Sequence, residues 1–266
     1  MAQNINVLVV IPQDGEKMAS VIGEANRLNV PVVAYDRLIR NCIIDAYVSY
    51  DNVKIGEMQA EYLVRKAPKG NYILLEGAQT DYCSKQIREG QLKVLKPYVE
   101  KGNIKIVAEK WVEDWNPSVA RNIVEKALAD NNDNIKAVVA SNDGTAGGAI
   151  KALAGHRLAG KVEVSGQDAD LAGCQRIVEG TQSMTVYVPI KAEAEGAAAV
   201  AVSLAEGEAF TGNNGVDNGR IVVPTLLLTP ISVDRDNIIS TVIKDGYQKY
   251  EEVYKNIPKD KRPTQR

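Results

Sequence analysis

Short apolar runs and longer amphipathic segments alternate along most of this chain. The apolar runs have the length and β-branched content of buried strands, and the segments between them carry apolar residues at helical spacing. This alternation predicts an α/β fold in which parallel strands are joined by right-handed helical crossovers. The predicted strands are 5–11, 31–35, 46–50, 72–75, 104–108, 135–140, 162–164 and 184–188. The predicted helices include 16–28, 55–64, 117–128 and 145–153.

Three of the apolar runs end in polar side chains that donate and accept hydrogen bonds. Asp36 and Arg37 follow the second predicted strand. Asn142 follows the sixth strand and Asp168 follows the seventh. Open α/β sheets bind their ligands beyond the carboxyl ends of the strands. The pattern therefore predicts a site for a ligand rich in hydroxyl groups.

Composition narrows the class of protein. The chain has 266 residues and is 45% hydrophobic, which is enough for a sizeable core in one large domain or, as we expect, two lobes. With 32 basic and 34 acidic residues, it has no overall field that would attract nucleic acid, so we predict no nucleic-acid partner. No apolar run approaches the roughly 20 residues that span a bilayer, and residues 1–4 lack the features of a signal peptide.

Catalytic and metal-binding chemistry has little support. His156 is the single histidine, and none of the three cysteines forms a CxxC pair, so neither a Ser-His-Asp triad nor a zinc site is expected. The glycine patterns of nucleotide-binding loops are absent. We therefore predict no cofactor, no metal, no catalytic residue and no enzymatic activity. A weaker alternative is an α/β enzyme that uses Asp36, Asp81 or Asp168 as a general base.

Several longer motifs carry a resemblance to a known family. They lie at residues 7–12, 34–37, 90–99, 141–150, 165–173, 184–187, 228–231 and 241–246. On these stretches the chain resembles the type I periplasmic sugar-binding proteins, and within them the members that bind D-xylose. The resemblance runs over nearly the whole chain.

The resemblance implies two α/β lobes that close on a sugar by hinge motion. Mapped here, the first lobe would comprise residues 1–50 and 186–225, and the second lobe residues 51–185 and 226–266. Family members carry two further strand-helix units ahead of the 5–11 strand, so the first lobe is expected to be shortened at its N-terminus. The 5–11 strand would then be an open edge, which favours dimer formation.

The resemblance also assigns candidate ligand contacts. Carboxylates and amides would surround the sugar hydroxyls, and an aromatic ring would cover its C–H face. If the resemblance is set aside, the same residues have structural interpretations. Asp36 and Arg37 would form a surface ion pair, Trp115 would be buried packing, and Asn142 and Asp168 would be helix caps. The six predicted contacts are Asp36, Arg37, Asp81, Trp115, Asn142 and Asp168.

The chain departs from the xylose-binding members at three positions. Tyr82 and Cys83 stand where those proteins carry amides, and Val188 stands where they carry a lysine. Losing one buried hydrogen bond to a hydroxyl costs about 1 to 3 kcal/mol, so we expect these departures to weaken the preference for xylose rather than sugar binding as such.

The function implied is binding of a monosaccharide, with D-xylose expected, in a cleft between the lobes. The partner would be an ABC transporter permease or the extracellular domain of a sensor kinase, in a periplasmic or extracellular membrane-associated location. Two alternatives stay open. One is the sugar-binding core of a lactose-repressor-type regulator, although no DNA-binding helix-turn-helix is visible. The other is an interaction module that has lost sugar binding.

Overall fold

The structure is a computed structural model that describes residues 5–264; the signal-peptide prediction concerns residues outside that range. Within the described residues, strands and helices alternate as the hydrophobic pattern predicts. The strands are β1 (Leu8–Val10), β2 (Val32–Tyr35), β3 (Ala46–Tyr50), β4 (Gly70–Glu76), β5 (Ile104–Trp111), β6 (Ala137–Ala140), β7 (Glu163–Val164), β8 (Thr185–Tyr187), β9 (Asn214–Asp217), β10 (Val222–Leu228) and β11 (Ile231–Val233). The α-helices are α1 (Ala19–Arg27), α2 (Asn52–Lys66), α3 (Tyr82–Glu100), α4 (Pro117–Asp130), α5 (Asp143–Gly155), α6 (Leu171–Glu179), α7 (Ile190–Ala205) and α8 (Tyr250–Val253).

The chain divides into two compact units. The segment Thr80–Cys83 belongs to unit 1, although it lies inside the range predicted for the second lobe. Unit 1 consists of Met1–Asp51, Thr80–Cys83 and Pro189–Thr229. Unit 2 consists of Asn52–Gln79, Ser84–Val188 and Pro230–Arg266.

Unit 1 is built on a sheet of strand order β1-β2-β3-β10-β9. The first four strands are parallel, and β9 runs antiparallel to β10. Because side chains alternate along a strand, Val32 and Ala34 pack towards α1, and Val33 packs towards α7. In the described part of the chain β1 pairs with β2 alone, so β1 lies at the edge of this sheet, as predicted.

Unit 2 contains the parallel sheet β5-β4-β6-β7, and β8 pairs antiparallel with β11. A single parallel bridge between Gln167 and Val186 continues the sheet from the end of β7 towards β8. Helices α4 and α5 cover one face of the sheet, where Val124 and Leu153 are fully buried with Val138. The parallel strands of unit 2 all end at one edge, and that edge positions the residues considered next.

Helix α4 begins at a side-chain cap. Asn116 caps α4 ahead of Pro117, with its side chain accepting a hydrogen bond from the Ser118 amide. No helix among residues 5–264 is both long and apolar enough to cross a membrane.

Candidate functional site

Asp36 follows β2 in a left-handed backbone conformation, with φ at 63°. This conformation turns its carbonyl towards β3, where the Tyr47 hydroxyl donates to it at 2.9 Å and the Ser49 hydroxyl at 2.8 Å. The Cys83 thiol donates to the same carbonyl at 3.4 Å. Three donors thus hold a backbone conformation that is unfavourable for a residue with a Cβ.

Arg37 connects two of the predicted carboxylates. Its Nε lies 3.0 Å from an oxygen of Asp81 and 4.0 Å from an oxygen of Asp36. Neighbouring side chains of an extended strand point to opposite faces. The left-handed turn at Asp36 means that the chain is not extended there, so Asp36 and Arg37 can serve one site. Unit 1 therefore brings Asp36, Arg37 and Asp81 together.

The electrostatics of this group differ from residue to residue. Asp81 is 4% exposed, whereas the Asp36 side chain is 51% exposed and accessible to solutes. The half of the Asp36 carboxyl that is shielded from water and the nearby Asp81 carboxylate raise the pKa of Asp36 to about 6, and the Arg37 guanidinium opposes that rise.

Glu193 is a further carboxyl near Asp36 that the sequence analysis missed. It lies on the first turn of α7, whose preceding residue Pro189 accepts a hydrogen bond from Tyr50 at the end of β3. Glu193 is 5% exposed, and its Oε1 has no hydrogen-bond partner among residues 5–264. Burial and the Asp36 carboxylate raise its pKa to about 8. At helical spacing from the buried Ala197, it has the pattern of a core position, so no sequence signal marks it. We call Asp36, Arg37, Asp81 and Glu193 the Asp36 cluster.

Trp115 lies beyond β5 in unit 2, in a short 3-10 turn where both Asp114 and Trp115 have left-handed backbones. Its indole ring packs against Gly77, the residue that follows β4; a Cβ at Gly77 would overlap the ring. Burial leaves the indole Nε1 without a hydrogen-bond partner among the described residues. The ring therefore covers the carboxyl end of β4.

Asn142 caps α5, which is one of the two roles that the sequence predicts for it. Its Oδ1 accepts hydrogen bonds from the Thr145 amide and hydroxyl, each at 2.9 Å, in a capping box. The cap occupies the oxygen of the Asn142 amide and leaves its Nδ2 hydrogens as the donors for a ligand. Capping and ligand binding are thus compatible.

Asp168 does not cap a helix; Asp170 is the N-cap of α6 and accepts a hydrogen bond from the Gly173 amide. Asp168 has φ at 98°, and its carboxylate accepts from the Gln167 side chain at 3.2 Å. Its amide donates to Val186 at 2.9 Å. We call Trp115, Asn142 and Asp168 the Trp115 cluster; its members lie along one edge of the sheet, beyond β5, β6 and β7.

The departures at Tyr82 and Cys83 are accommodated inside unit 1. The Tyr82 ring packs against the unit 1 core and under the Arg40 guanidinium, 4.2 Å from the ring centre. Cys83 is buried at 3.7 Å from the Tyr47 hydroxyl. A thiol is a much weaker hydrogen-bonding group than an amide, so Cys83 offers less to a sugar hydroxyl.

The cysteine, histidine and acidic side chains are the candidates for a metal centre. Among residues 5–264, no three His, Cys, Asp or Glu side chains lie close enough together to hold a metal ion. Cys42, Cys83 and Cys174 are free and buried, and burial raises the pKa of each thiol. His156 contacts Asp133 at 2.7 Å at the end of α5.

The fold and the polar strand ends define a solute-binding protein, and comparison with known proteins identifies the family. The model of the periplasmic binding protein domain matches residues 1–209, so this chain belongs to the periplasmic binding proteins. It is 51% identical over 251 residues to the D-xylose-binding periplasmic protein of Escherichia coli K12, covering 94% of this chain and 76% of that protein. It is 51% identical over 252 residues to the Haemophilus influenzae protein of the same name, and this match covers 95% of this chain and 76% of that protein.

A solved structure gives the same result for the fold. The carbohydrate transporter solute-binding protein of Chloroflexus aurantiacus, in complex with D-glucose, superposes with a TM-score of 0.90 at 30% identity. The match covers 94% of this chain and 82% of that one. The predicted α/β fold of the type I periplasmic binding proteins is confirmed.

Proposed function

We propose that this protein binds a monosaccharide without transforming it, and that D-xylose is the first ligand to test. The supporting observation is the chemistry of the two clusters. Each offers carboxylates or amides to sugar hydroxyls, and Trp115 adds an aromatic face for the C–H groups of a sugar ring. The relatives that are 51% identical are named for D-xylose binding.

The six contacts predicted from the sequence have distinct roles in this proposal. Asp36 and Asp81 accept hydrogen bonds from hydroxyls, and Arg37 donates to sugar oxygens while it holds Asp81. Asn142 donates through its amide nitrogen, since its oxygen caps α5. Asp168 accepts, and the Trp115 indole stacks on the ring.

The choice of sugar depends on the three departures from the xylose-binding pattern. Cys83 provides a thiol in place of an amide, and Val188 provides no polar group in place of lysine. The thiol weakens one potential hydrogen bond and the valine removes another, so we expect this site to bind D-xylose less tightly than a site with an amide and a lysine would. D-glucose is the natural competitor because the Chloroflexus aurantiacus neighbour holds it.

Calorimetric titration with D-xylose, D-glucose, D-ribose and the open-chain polyol D-mannitol tests the proposal. We expect one-to-one binding of at least one cyclic sugar and none of D-mannitol, whose flexible chain presents no flat face to an indole. Failure of all three cyclic sugars to bind folded protein at millimolar concentration would refute the proposal. Recovery of the bound sugar unchanged after long incubation tests the non-enzymatic role.

We further propose that the sugar-loaded protein delivers its ligand to an ABC transporter permease in the periplasm. Support comes from the membership of the periplasmic binding proteins and from the transporter named for the Chloroflexus aurantiacus neighbour. The sensor-kinase domain stays an alternative partner. Dimer formation through β1 stays a prediction, supported by the exposure of Val9 (44%) and Ile11 (56%) at the sheet edge.

A further inference from the structure

Asp143 is a buried carboxylate that none of the sugar contacts explains. It is the first residue of α5, directly after Asn142, and its exposed fraction is 0%. A carboxylate removed from water is costly unless several hydrogen bonds replace its hydration. The groups that supply those hydrogen bonds show which segments the carboxylate holds together.

Three donors from two separate segments converge on the Asp143 carboxylate. The Asp170 amide donates to Oδ2 at 3.0 Å, from the turn that carries Asp168. The Thr185 hydroxyl donates to the same oxygen at 3.1 Å, and the Gln182 amide nitrogen donates to Oδ1 at 2.6 Å. Asp143 therefore connects the start of α5, the turn between β7 and α6, and the segment that leads into β8.

Thr185 extends this connection to the strained part of the turn. Its hydroxyl also accepts a hydrogen bond from the Ala169 amide at 3.2 Å. Asp168 and Ala169 both have left-handed backbones, with φ at 98° and 54°. Backbone strain of this kind persists only where surrounding contacts hold it. The Asp143 and Thr185 pair supplies such contacts within two residues of the Asp168 side chain.

The backbone leaves room for the carboxylate at two glycines. A Cβ at Gly166 would overlap Oδ1 of Asp143, and a Cβ at Gly173 would overlap Oδ2. One glycine lies just before Asp168 and the other in the first turn of α6. Both segments can therefore approach the same carboxylate closely because the residue at each point of contact is a glycine.

We propose that Asp143 is a positioning residue for ligand binding, which sets Asn142 and Asp168 in place by tying the 166–170 turn to the start of α5 and to β8. This inference rests on the proposed sugar-binding function. Asp143 does not touch the sugar; it acts through the two neighbours that do. Its backbone carbonyl accepts from Arg176 at 2.7 Å, and Arg176 also donates to Gln182 at 2.9 Å, so the support is itself held from α6.

The test compares Asp143→Asn with the wild-type protein by titration with D-xylose and D-glucose. Asparagine keeps the shape but points a donor at the Gln182 or Asp170 donor, so the turn should shift. Loss of a group that orients metal-ligating residues typically weakens metal affinity about 10- to 100-fold. For the equivalent loss of support in a sugar site we expect a rise in Kd of at least about tenfold in protein that remains folded. An unchanged Kd in the folded variant would overturn the inference.

A pair of substitutions at Thr185 tests the link between Asp143 and the turn. Thr185→Val removes the hydroxyl that links Asp143 to Ala169 and should weaken sugar binding in the same direction. Thr185→Ser keeps the hydroxyl and should bind like the wild type. If valine and serine give the same Kd, the link between Asp143 and the turn does not matter for binding and the inference is wrong.

Asp234→Asn is the matched control in unit 2. Asp234 also accepts hydrogen bonds from a hydroxyl, that of Tyr62 at 3.0 Å, and from a backbone amide, that of Asp236 at 2.9 Å. It follows β11 and lies outside both the 166–170 turn and the start of α5. We expect Asp234→Asn to lower thermal stability without changing the Kd, which separates positioning from a general loss of stability.

Amide hydrogen exchange keeps the inference testable apart from the sugar. In ligand-free Asp143→Asn, the amides of Ala169 and Asp170 should exchange at least about tenfold faster than in the wild type, because the opening of the turn becomes easier. Unchanged exchange there would refute the positioning role. If wild-type protein binds no sugar while exchange in the variant rises, the proposed function fails and the structural link stands.

Discussion

Asp36 is the residue whose charge state most directly controls the proposed binding. When ionised, its carboxylate is a pure acceptor of hydrogen bonds, and protonation turns one of its oxygens into a donor. Partial burial and the Asp81 carboxylate raise its pKa to about 6. As pH falls through 6, the ionised fraction falls and an acceptor for a sugar hydroxyl is lost. Sugar binding should therefore become weaker as the pH is lowered.

We predict that the Kd for the bound sugar is higher at pH 5 than at pH 7 by up to about tenfold, since the ionised fraction of Asp36 falls about tenfold across this range. Calorimetric titration across this range measures it. Asp36→Asn should bind more weakly than the wild type and show a flatter pH profile. A wild-type profile that is level from pH 5 to 7 would contradict the role assigned to Asp36.

Asn142 has two functions that a single substitution can separate. Serine caps helices about as well as asparagine, so the free energy of unfolding of Asn142→Ser should lie within about 0.5 kcal/mol of the wild-type value. It lacks the amide donor, and loss of one buried hydrogen bond to a ligand corresponds to a roughly 5- to 150-fold weaker Kd. Chemical denaturation and calorimetry together check both values.

Asn142→Ala is the companion variant. It lacks cap and donor alike and should lose about 1 kcal/mol of stability in addition to affinity. If the serine variant binds sugar as tightly as the wild type, Asn142 serves only as the helix cap.

At the scale of elements, β4 ends in a carboxyl group that its surroundings do not satisfy. Glu76 is fully buried, and neither of its oxygens has a hydrogen-bond partner among residues 5–264. The Arg88 guanidinium of α3 lies 3.9 Å away but bonds Glu109 at 2.7 Å. Burial and the Glu109 carboxylate raise the pKa of Glu76 to about 8.

A carboxyl with a raised pKa binds its proton more tightly in the folded chain than in the unfolded one. Between pH 4.5 and about 8 the folded state therefore holds more protons, and stability falls as pH rises through that window. Glu76→Gln removes this dependence. The free energy of unfolding of the variant, relative to that of the wild type, should therefore rise by about 2 to 4 kcal/mol from pH 5 to pH 8. Urea unfolding at both pH values measures the change.

Glu125→Gln, on the exposed face of α4, is the control and should show no comparable gain with pH. Equal pH dependence of the wild type and Glu76→Gln would mean that Glu76 is not the titrating group.

Much of the fold followed from periodicity, but one central strand did not. The sequence analysis named no strand at β10, although β10 lies between β3 and β9 in the unit 1 sheet. Pro224 interrupts its pattern, because proline cannot donate to a sheet and normally marks an edge. Here Pro224 lies opposite Gly215 of the short β9 strand, where the missing donor is tolerated.

The candidate site was predictable only in part for a similar reason. Residues beyond strand ends can be found from the chain, since parallel strands share an edge. The ion pair between Arg37 and Asp81 joins residues 44 positions apart, and the turn at Asp36 depends on three donors from other segments. Neither leaves a local pattern. Glu193 was invisible because its spacing matches that of a core residue.

At the scale of the whole molecule, the six predicted ligand contacts are distributed over both units. A ligand that binds only the native state stabilises it by about 2.7 kcal/mol at 100 times its Kd. We predict that sugar at this concentration slows amide exchange both at residues 36–37 of unit 1 and at residues 166–170 of unit 2. Hydrogen exchange with and without sugar measures it. Protection confined to one unit would contradict the assignment of six contacts.

The three buried thiols make the protein a convenient host for chemical labels. Maleimides react with exposed thiolates, and Cys42, Cys83 and Cys174 are neither exposed nor readily ionised. A single cysteine placed on an exposed helix position, such as Lys126 of α4, would then take up a fluorophore alone. The native chain thus needs no removal of its own cysteines before it is turned into an optical reporter for its ligand.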